Sequence, residues 1–540
     1  MATSRGAVEE GRHPLNSLVS ALLTDLYQVT MSYAYWKAGR QDEHAVFDLF
    51  FRKCPFKGQF TIFAGLSEVL ALLNSFCFSP SDVTYLRTVL PDCEEAFFDW
   101  LGQLDCRGIR LHALEEGTLC FPRVPLIRVE GPLAVAQLLE TPLLNLINFP
   151  SLVATNAARL RLAAGWDKQL LEFGLRRAQG PDGGLTASRY SYIGGFDATS
   201  NVLAGKLIGI DVRGTHAHSF VQSYTSFAQI NDPTLGDRDF VTLVKEYRSR
   251  LGSKSAGSNA GELAAFTAYA QAFPDGFVAL VDTYDTLQSG VPNFLCVALA
   301  LDDLGHRALG CRLDSGDLSY LSQEVRKMTT EASKNFDRPF LATTNIMASN
   351  DINEDTLHSL ADLGHEISTF GIGTNLVTCQ AQPALGCVYK LVSIEGAPRI
   401  KLSQATSKIT IPGRKEVYRL MATDGVPILD IMLKDGEEPP QPGVPILARH
   451  PFVATKRARV TASAVVRLQK LVWDGQAGGA ASDMPSIHEV RSKVLAGLKE
   501  IRQDTLQRLN PTPYKVSVSE GLYEFLHALW DKEAPIRELR

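Results

Sequence analysis

The segment GTHAHSF, residues 214–220, places two histidines one residue apart, between a glycine and a serine. A neutral imidazole nitrogen can accept a phosphoryl group or bind a divalent metal, so His216 and His218 are both candidates for chemistry. Because they follow the apolar run GKLIGIDV, we expect them near the end of a buried strand. The spacing alone leaves open which ring is reactive.

Polar residues also follow several later apolar runs. If these runs are parallel strands, their carboxyl ends lie at the edge where α/β barrels gather their catalytic groups. The residues follow or lie in LLEFGL, FVALV, CRLDSGDLS and FGIGTNLVT, and they are Arg176, Arg177, Asp282, Arg312, Asp314, Gly371, Gly373 and Thr374.

These residue types suit the binding of anions. Arginine binds carboxylate or phosphate in a bidentate manner better than lysine does. In RLDSGDLS, Arg312 and Asp314 lie on the same side of an extended chain, where they can hold an anion and a hydroxyl-rich group together. The glycine-containing turn 371–374 can cradle a phosphate with backbone N–H groups. Taken singly, the arginine pair could be solvated and Asp282 could cap a helix.

The elements that must position these residues alternate between about 168 and 395. Short apolar runs are followed by amphipathic helices, the pattern of parallel βαβ units. A barrel and an open doubly wound sheet both fit, and polar residues at many strand ends favour the barrel. The predicted strands are 170–177, 207–212, 277–282, 309–314, 340–345 and 367–373, and the helices between them include 293–308, 321–336 and 352–365.

Three domains follow from this reading of the chain. Residues 1–150 are predicted to form a mixed α/β domain, completed by part of 396–470, and a long apolar helical region links it to a barrel at 151–395. Residues 396–540 begin turn-rich and end in amphipathic helices, so we expect a C-terminal segment with a helical extension.

Composition favours small-molecule chemistry. The 540 residues carry a net charge of −5 without a basic cluster interleaved with aromatics, so we expect no nucleic-acid partner. No signal-peptide core or 18-residue apolar run is present, so we expect no membrane partner. Nine scattered cysteines without a CxxC pair favour a reducing, cytosolic compartment.

Nine segments, taken together and in order from about residue 20 to 420, closely resemble nicotinate phosphoribosyltransferases. They are TDLYQVTM, GLRRAQGPDGG, SYIGGFDATSNVLAG, GTHAHSF, LVDTYDT, RLDSGDL, FGIGTNLVT, YKLV and KITIPGRKEVYR. The resemblance implies a type II phosphoribosyltransferase with an irregular α/β barrel, acting as a homodimer with active sites at the subunit interface. It also implies a reaction that joins nicotinate to phosphoribosyl pyrophosphate, coupled to ATP hydrolysis through a phosphohistidine.

The resemblance also implies roles for individual residues. His218 aligns with the family's phosphate-accepting histidine, and Ser219 would bind the resulting phosphate. Tyr27 would stack on or edge the nicotinate ring from the neighbouring subunit, Arg312 would face the nicotinate carboxylate, and Arg176 would bind phosphate or carboxylate. The loop with Gly371, Gly373 and Thr374 would hold the 5′-phosphate. Mg²⁺ or Mn²⁺ would bind through phosphates and waters, with Asp282 and Asp314 as candidate contacts.

Three other interpretations remain at this point. An HxH pair can hold a metal in barrel hydrolases, but such a site needs further histidines at strand ends, and His306, His358 and His365 fall in or beside predicted helices. A related transferase could use nicotinamide or quinolinate, although an amide would gain little from Arg312 and a dicarboxylate would require more basic residues. A non-catalytic scaffold would have lost the strand-end residues.

Overall fold

The computed structural model describes residues 14–481 and 484–535. The helices are α1 (Leu26–Lys37), α2 (Leu66–Ser75), α3 (Pro80–Val89), α4 (Glu95–Leu101), α5 (Leu133–Leu138), α6 (Glu140–Ala164), α7 (Gly180–Ile193), α8 (Val202–Ile208), α9 (His218–Gln222), α10 (Phe240–Leu251), α11 (Ser253–Ala256), α12 (Ala260–Ala272), α13 (Val291–Asp302), α14 (Leu318–Phe336), α15 (Glu354–Leu363), α16 (Thr374–Thr378), α17 (Ile487–Glu500), α18 (Gln503–Leu506) and α19 (Glu520–Glu533). Within the described ranges, no helix combines the length and apolar character needed to cross a membrane.

The strands are β1 (His44–Phe51), β2 (Thr61–Ile62), β3 (Arg110–Leu114), β4 (Leu119–Cys120), β5 (Ile127–Pro132), β6 (Gln169–Glu172), β7 (Ala198–Thr199), β8 (Thr234–Leu235), β9 (Arg238–Asp239), β10 (Val278–Leu280), β11 (Gly310–Leu313), β12 (Asn345–Ala348), β13 (Thr369–Ile372), β14 (Cys387–Ile394), β15 (Ala397–Pro398), β16 (Lys415–Met421), β17 (Pro427–Lys434), β18 (Pro445–Arg449), β19 (Arg457–Thr461), β20 (Ala464–Arg467), β21 (Gln469–Asp474), β22 (Gly479–Ala480) and β23 (Val516–Val518). The chain falls into two compact units. One comprises Met1–Thr155 with Ala381–Arg540, and the other comprises Asn156–Gln380. The domain boundaries given above stay a prediction, because compact packing does not by itself show which segments fold as domains.

The first unit contains two larger sheets. One has seven antiparallel strands in the order β15-β14-β1-β5-β3-β21-β22. The other is a mixed sheet of six strands in the order β19-β18-β23-β17-β16-β20, in which β17 and β23 pair in parallel. The second sheet packs a core from alternate positions of its strands, formed by Tyr418, Leu420, Leu429, Ile431, Leu433, Ala448 and Ala462.

The prediction of a helical C-terminal extension is therefore only partly correct. Helices α17 and α19 lie where amphipathic patterns placed them, but β16 to β20 and β23 form a sheet in the same segment. In β16 buried and partly exposed residues broadly alternate, the period of a half-buried strand, while glycines and prolines between the strands gave the segment its turn-rich character.

Two buried ion pairs lie inside this unit. Lys415 Nζ lies 2.5 Å from Asp48 Oδ2, with both side chains almost fully buried. Arg419 donates from Nε and Nη2 to the two oxygens of Asp430, at 2.8 and 2.9 Å. The basic residues 415 and 419 of KITIPGRKEVYR therefore neutralise carboxylates inside the unit.

The second unit contains a six-stranded parallel sheet in the order β10-β11-β12-β13-β6-β7. The predicted strands at 277–282, 309–314 and 367–373 are confirmed as β10, β11 and β13. The strand predicted at 170–177 is confirmed only in its first part, as β6, because Leu175–Arg177 forms a 3₁₀ turn. The strand predicted at 340–345 is displaced, because Pro339–Thr343 forms a 3₁₀ turn and β12 begins only at Asn345.

The strand predicted at 207–212 is wrong. Asn201 caps the start of α8 by accepting a hydrogen bond from the Ala204 amide. Leu207 and Ile208, the first residues of the predicted strand, are the last two residues of this helix. Gly209 follows with a φ of 79°, a left-handed conformation that favours glycine and closes the helix. A short apolar run does not distinguish a buried strand from a helix end.

The parallel sheet is a curled half-barrel. Among the described residues, β7 and β10 at its two edges do not pair with each other. Instead, the segment 211–216 lies between them. Val212 forms an isolated parallel bridge with Thr199 at the end of β7, and the His216 side chain lies against the Leu280 amide of β10.

A buried carboxyl group supports the loop that leaves β10. Glu262 on α12 is fully buried, and its Oε2 accepts hydrogen bonds from Ser289 Oγ at 2.5 Å and Asn293 Nδ2 at 2.9 Å. Ser289 belongs to a π-helical turn, Thr286–Gly290. Burial raises the pKa of Glu262 to about 7, so in the folded chain about half of these side chains stay protonated near neutral pH.

Glu262→Gln should change how stability depends on pH. Below pH 4.5, the ordinary pKa, this carboxyl is protonated in both the folded and the unfolded chain. Between 4.5 and about 7 the unfolded chain loses the proton and the folded chain keeps it, so wild-type stability falls as pH rises. The amide retains the acceptor for Ser289 and Asn293 and does not ionise.

We therefore expect the variant to gain up to about 3 kcal/mol of unfolding free energy relative to wild type at pH 8, and almost none near pH 4.5. Urea unfolding at both pH values measures this difference. Glu246→Gln, at an exposed position on the neighbouring helix α10, is the matched control. An equal effect at both pH values would contradict the ionisation argument.

Candidate active site at the carboxyl ends of the parallel strands

The parallel pairing of β10 with β11 brings the predicted strand-end residues together. Leu280 pairs with Arg312, so the carboxyl ends of the two strands lie side by side. Asp282 follows β10 by two residues, Arg312 lies in β11 and Asp314 follows it directly. The structure thus places a cation and two carboxylates at one edge of the sheet.

His218 faces these carboxylates. It is the first residue of α9, and its Nε2 lies 4.0 Å from Asp282 Oδ1 and 3.7 Å from Asp314 Oδ2. Its Nδ1 is 3.1 Å from Thr283 Oγ1. The side chain retains 38% of its exposure. Neighbours at both nitrogens fix the orientation of the ring and leave it accessible.

Serine hydroxyls orient both carboxylates. Ser315 donates to Asp282 Oδ2 at 2.5 Å, and Ser349 donates to Asp314 Oδ1 at 2.6 Å. Asp282 is only 3% exposed and Asp314 is 26% exposed. The buried Oδ1 of Asp282 has no hydrogen-bond partner within the described chain, so it remains able to accept one. These serines were not singled out from the sequence as carboxylate partners.

Arg312 is held by hydrogen bonds to the segment that precedes His218. Its Nη1 donates to Thr215 Oγ1 at 2.9 Å and its Nη2 donates to the His216 carbonyl at 3.2 Å. Burial lowers the pKa of the guanidinium, while Asp314 and Asp282 oppose this shift, and the group remains a cation at physiological pH. Its Nε is buried without a partner in the described chain. The side chain therefore presents a positive charge and a free donor.

A second group of predicted residues lies where β6 and β13 end. Arg177, in the 3₁₀ turn Leu175–Arg177, donates from Nη1 to Thr374 Oγ1 at 3.2 Å, whereas the neighbouring Arg176 is exposed. Thr374 begins α16 and Gly373 precedes it. The structure therefore brings the arginine pair and the glycine-containing turn together.

Gly371 has a packing reason to be glycine. A Cβ at this position would lie 2.5 Å from a carbon of the Phe173 ring, so any larger side chain would displace that ring. Phe173 directly follows β6, and the sequence reading did not single it out. The phosphate-binding role of Gly371 stays a prediction.

The two histidines of GTHAHSF lie in different environments. His216 is only 9% exposed and packs against Phe220, Phe266 and Tyr269. Burial, and next the charge of Arg312, lower the pKa of His216 to about 4, so this ring is neutral near pH 7. The accessible ring is His218.

Two further predicted residues, Ser219 and Tyr27, lie on helices. Ser219 is the second residue of α9 and is exposed. Tyr27 belongs to the first unit, where it lies on α1 with 46% exposure. Partial burial, and next Glu140, raise its pKa above the ordinary value. The proposed roles of both residues stay predictions.

The geometry gives no support to a metal-dependent hydrolase. Within the residues that the structure describes, no group of three or more His, Cys, Asp or Glu side chains is placed to hold a metal ion. His216 is enclosed by aromatic rings, which separates it from a ligand pair with His218.

Comparison with known proteins agrees with the geometry. Residues 22–148 match the family described as nicotinate phosphoribosyltransferase (NAPRTase) N-terminal domain, and residues 414–526 match the nicotinate phosphoribosyltransferase C-terminal domain. Nicotinate phosphoribosyltransferase 1 of Arabidopsis thaliana is 53% identical over 97% of this chain and 96% of its own length. Nicotinate phosphoribosyltransferase of Homo sapiens is 48% identical over 95% of this chain and 97% of its own length.

Solved structures give the same result. The crystal structure of human nicotinic acid phosphoribosyltransferase superimposes with a TM-score of 0.85 at 45% identity, over 94% of this chain and 100% of that one. A nicotinate-nucleotide pyrophosphorylase from Pyrococcus furiosus, at 20% identity and a TM-score of 0.58 over 89% of this chain and 95% of that one, shares the fold. This chain belongs to the nicotinate phosphoribosyltransferase family.

Proposed function

We propose that this chain forms nicotinate mononucleotide and pyrophosphate from nicotinate and phosphoribosyl pyrophosphate at the carboxyl edge of the β10–β11 pair, coupled to ATP hydrolysis through His218. The chain is an enzyme of NAD salvage from nicotinate, a nicotinate phosphoribosyltransferase, and the scaffold interpretation is wrong. The observation that carries the site assignment is the placement of His218 between Asp282 and Asp314, with Arg312 beside them.

The chemistry needs charge and position more than proton transfer. The pyridine nitrogen already has a free lone pair, so no general base is required when it bonds to ribose C1′. The barrier lies in releasing pyrophosphate from an oxocarbenium-like carbon, so fixed charges at the site contribute most. Arg312 would bind the nicotinate carboxylate with its free Nε–H donor. Arg176, Gly371, Gly373 and Thr374 would hold phosphate groups.

The donor set fits Mg²⁺ or Mn²⁺ bound through phosphates and waters. Asp282 Oδ1 has no partner within the described chain, and Asp314 is accessible, so both can accept hydrogen bonds from metal-bound water. When bound, such an ion neutralises the leaving pyrophosphate.

The surroundings of His218 favour Nδ1 as the atom that accepts phosphate. Two carboxylates face Nε2, so the proton of the neutral ring is most stable there and the lone pair lies on Nδ1. In the proposed step the Nδ1–P bond forms as the bond from the γ-phosphorus to the bridging oxygen breaks, and ADP leaves. Asp282 and Asp314 stabilise the positive charge that develops on the ring, and Ser219 would bind the transferred phosphate. Water later releases inorganic phosphate.

The proposal includes a cytosolic homodimer. Tyr27, half exposed on α1, would edge the nicotinate ring of the partner's site. A cytosolic location is supported by the nine free cysteines.

Mass spectrometry of the product tests the reaction. Purified protein is incubated with phosphoribosyl pyrophosphate, Mg²⁺, ATP and an equimolar mixture of nicotinate, nicotinamide and quinolinate. We expect nicotinate mononucleotide alone, because a single buried guanidinium suits one carboxylate. Formation of the nicotinamide product, or of nicotinate mononucleotide with release of CO₂ from quinolinate, would contradict the base choice.

Arg312→Ala should separate base binding from phosphoribosyl binding. Loss of a buried charged partner costs about 2–5 kcal/mol, so we expect the KM for nicotinate to rise by at least about 30-fold. The KM for phosphoribosyl pyrophosphate should change little, and Arg307→Ala, at an exposed position, should match wild type. Equal losses for both substrates in steady-state kinetics would refute the assignment of Arg312.

His218→Ala should remove ATP coupling without removing transfer. Because phosphoribosyl pyrophosphate supplies its own leaving group, a slower ATP-independent reaction should remain, while ATP no longer stimulates it. Initial rates with and without ATP, together with acid-labile ³²P labelling from γ-labelled ATP, measure the effect. His306→Ala, beside Asp275 on the same unit, is the control. Retained stimulation by ATP would rule out the phosphohistidine role.

A further inference from the structure

His216 is enclosed by aromatic side chains of two helices. Its ring centroid lies 4.7 Å from that of Tyr269 at an interplanar angle of 61°, and 5.6 and 6.0 Å from those of Phe220 and Phe266. Phe266 and Tyr269 belong to α12, and Phe220 belongs to α9, the helix that begins with His218. This packing allows few positions for the ring.

The same ring contacts the edge strand of the sheet. The Leu280 amide of β10 donates to His216 Nε2 at 3.4 Å. Three residues later, Thr283 Oγ1 lies 3.1 Å from His218 Nδ1. The segment 216–218 is therefore fastened to the segment 280–283 at two points, one through each histidine.

The backbone around His216 also fixes Arg312. The guanidinium donates from its two terminal nitrogens to Thr215 Oγ1 and to the His216 carbonyl. A shift of His216 would therefore move the acceptors of Arg312 and the start of α9 together. Substrate-binding arginine and phosphate-accepting histidine, 94 positions apart in sequence, share one support.

We propose that His216 is a positioning residue, which couples the orientation of Arg312 to that of His218 by fastening the turn 214–218 to β10. The inference rests on the proposed function of those two residues. His216 itself does not touch substrate, since its ring is enclosed. Two features of His216 fix the backbone: Nε2 accepts a hydrogen bond from the Leu280 amide, and the ring fills a space among the aromatic side chains.

Two substitutions separate the acceptor from the shape. His216→Phe fills the aromatic space and removes the acceptor, whereas His216→Gln places an amide oxygen within reach of the Leu280 amide. We expect His216→Phe to raise the KM for nicotinate and to lower acid-labile ³²P labelling of His218, each by about 10- to 100-fold, because catalysis is sensitive to displacements near 1 Å. His216→Gln should restore both by at least about threefold over His216→Phe.

Controls use the exposed His306 of the same unit. His306→Phe and His306→Gln should match wild type in both measurements, because His306 contacts Asp275 near the amino end of β11. A thermal unfolding curve for each variant checks folding. If His216→Phe does not fold, Thr215→Val gives the second test, because it removes an acceptor of Arg312 at a half-buried position. It should raise the KM for nicotinate by about 3- to 10-fold.

The outcomes distinguish this inference from the proposed function. A wild-type enzyme without product would refute the function. An active wild type with His216→Phe unchanged in KM and labelling would overturn the positioning role and leave the function intact. A loss confined to one of the two measurements would overturn the coupling, as would unchanged kinetics in Thr215→Val.

Discussion

The site depends on the parallel register of β10 and β11. Leu280 of β10 pairs with Arg312 of β11. Asp282 and Asp314, which follow these two strands, therefore lie at the same edge of the sheet as Arg312. With this register, carboxylates from two different segments lie near one imidazole ring, that of His218. The register is itself held by buried apolar residues on both strands, which include Leu280, Cys311 and Leu313. Hydrophobic burial thus fixes the distances that the charged groups need.

The pair of histidines shows how environment separates residues of the same type. His216 is enclosed by aromatic rings, with its pKa held near 4, so it can serve as a neutral acceptor for a backbone amide. His218 emerges two residues later at the start of a helix, where carboxylates face one nitrogen and a hydroxyl faces the other. The enclosed ring is therefore held by packing, and the accessible ring is the one available for the proposed phosphoryl transfer.

The grouping of Asp282, Arg312 and Asp314 could be predicted from the sequence, because these residues lie at the ends of apolar runs that are recognisable as strands. Arg312 lies in one strand and Asp314 directly follows it, and the alternation of strands and helices predicts that they meet Asp282. The failures have local causes too. The run 207–212 was assigned as a strand, although Asn201 and Gly209 mark the beginning and end of a helix. The strands after residue 415 were missed because glycine and proline signals, densest in DGEEPPQPGV at 435–444, indicate turns rather than strands.

The contacts that give the site its geometry could not be predicted in this way. Thr215 meets Arg312 across 97 positions, and Ser349 meets Asp314 across 35. Serine and threonine are common in turns and caps, so their type alone does not indicate a carboxylate or guanidinium partner. Only the folded sheet brings them into contact.

In the proposed site, two buried polar atoms would be available to the substrates. Asp282 Oδ1 and Arg312 Nε have no hydrogen-bond partners in the described chain, and a buried group left without one costs about 1–3 kcal/mol. Other atoms of the same two side chains are nevertheless held by hydrogen bonds. Ser315 donates to Asp282 Oδ2, and the terminal nitrogens of Arg312 donate to Thr215 and to the His216 carbonyl. A carboxylate ligand at Arg312 and a hydroxyl or metal-bound water at Asp282 would offset that cost on binding. In the proposed function this site would be preorganised for charges that arrive with the substrates, which is the condition under which fixed charges lower a barrier most.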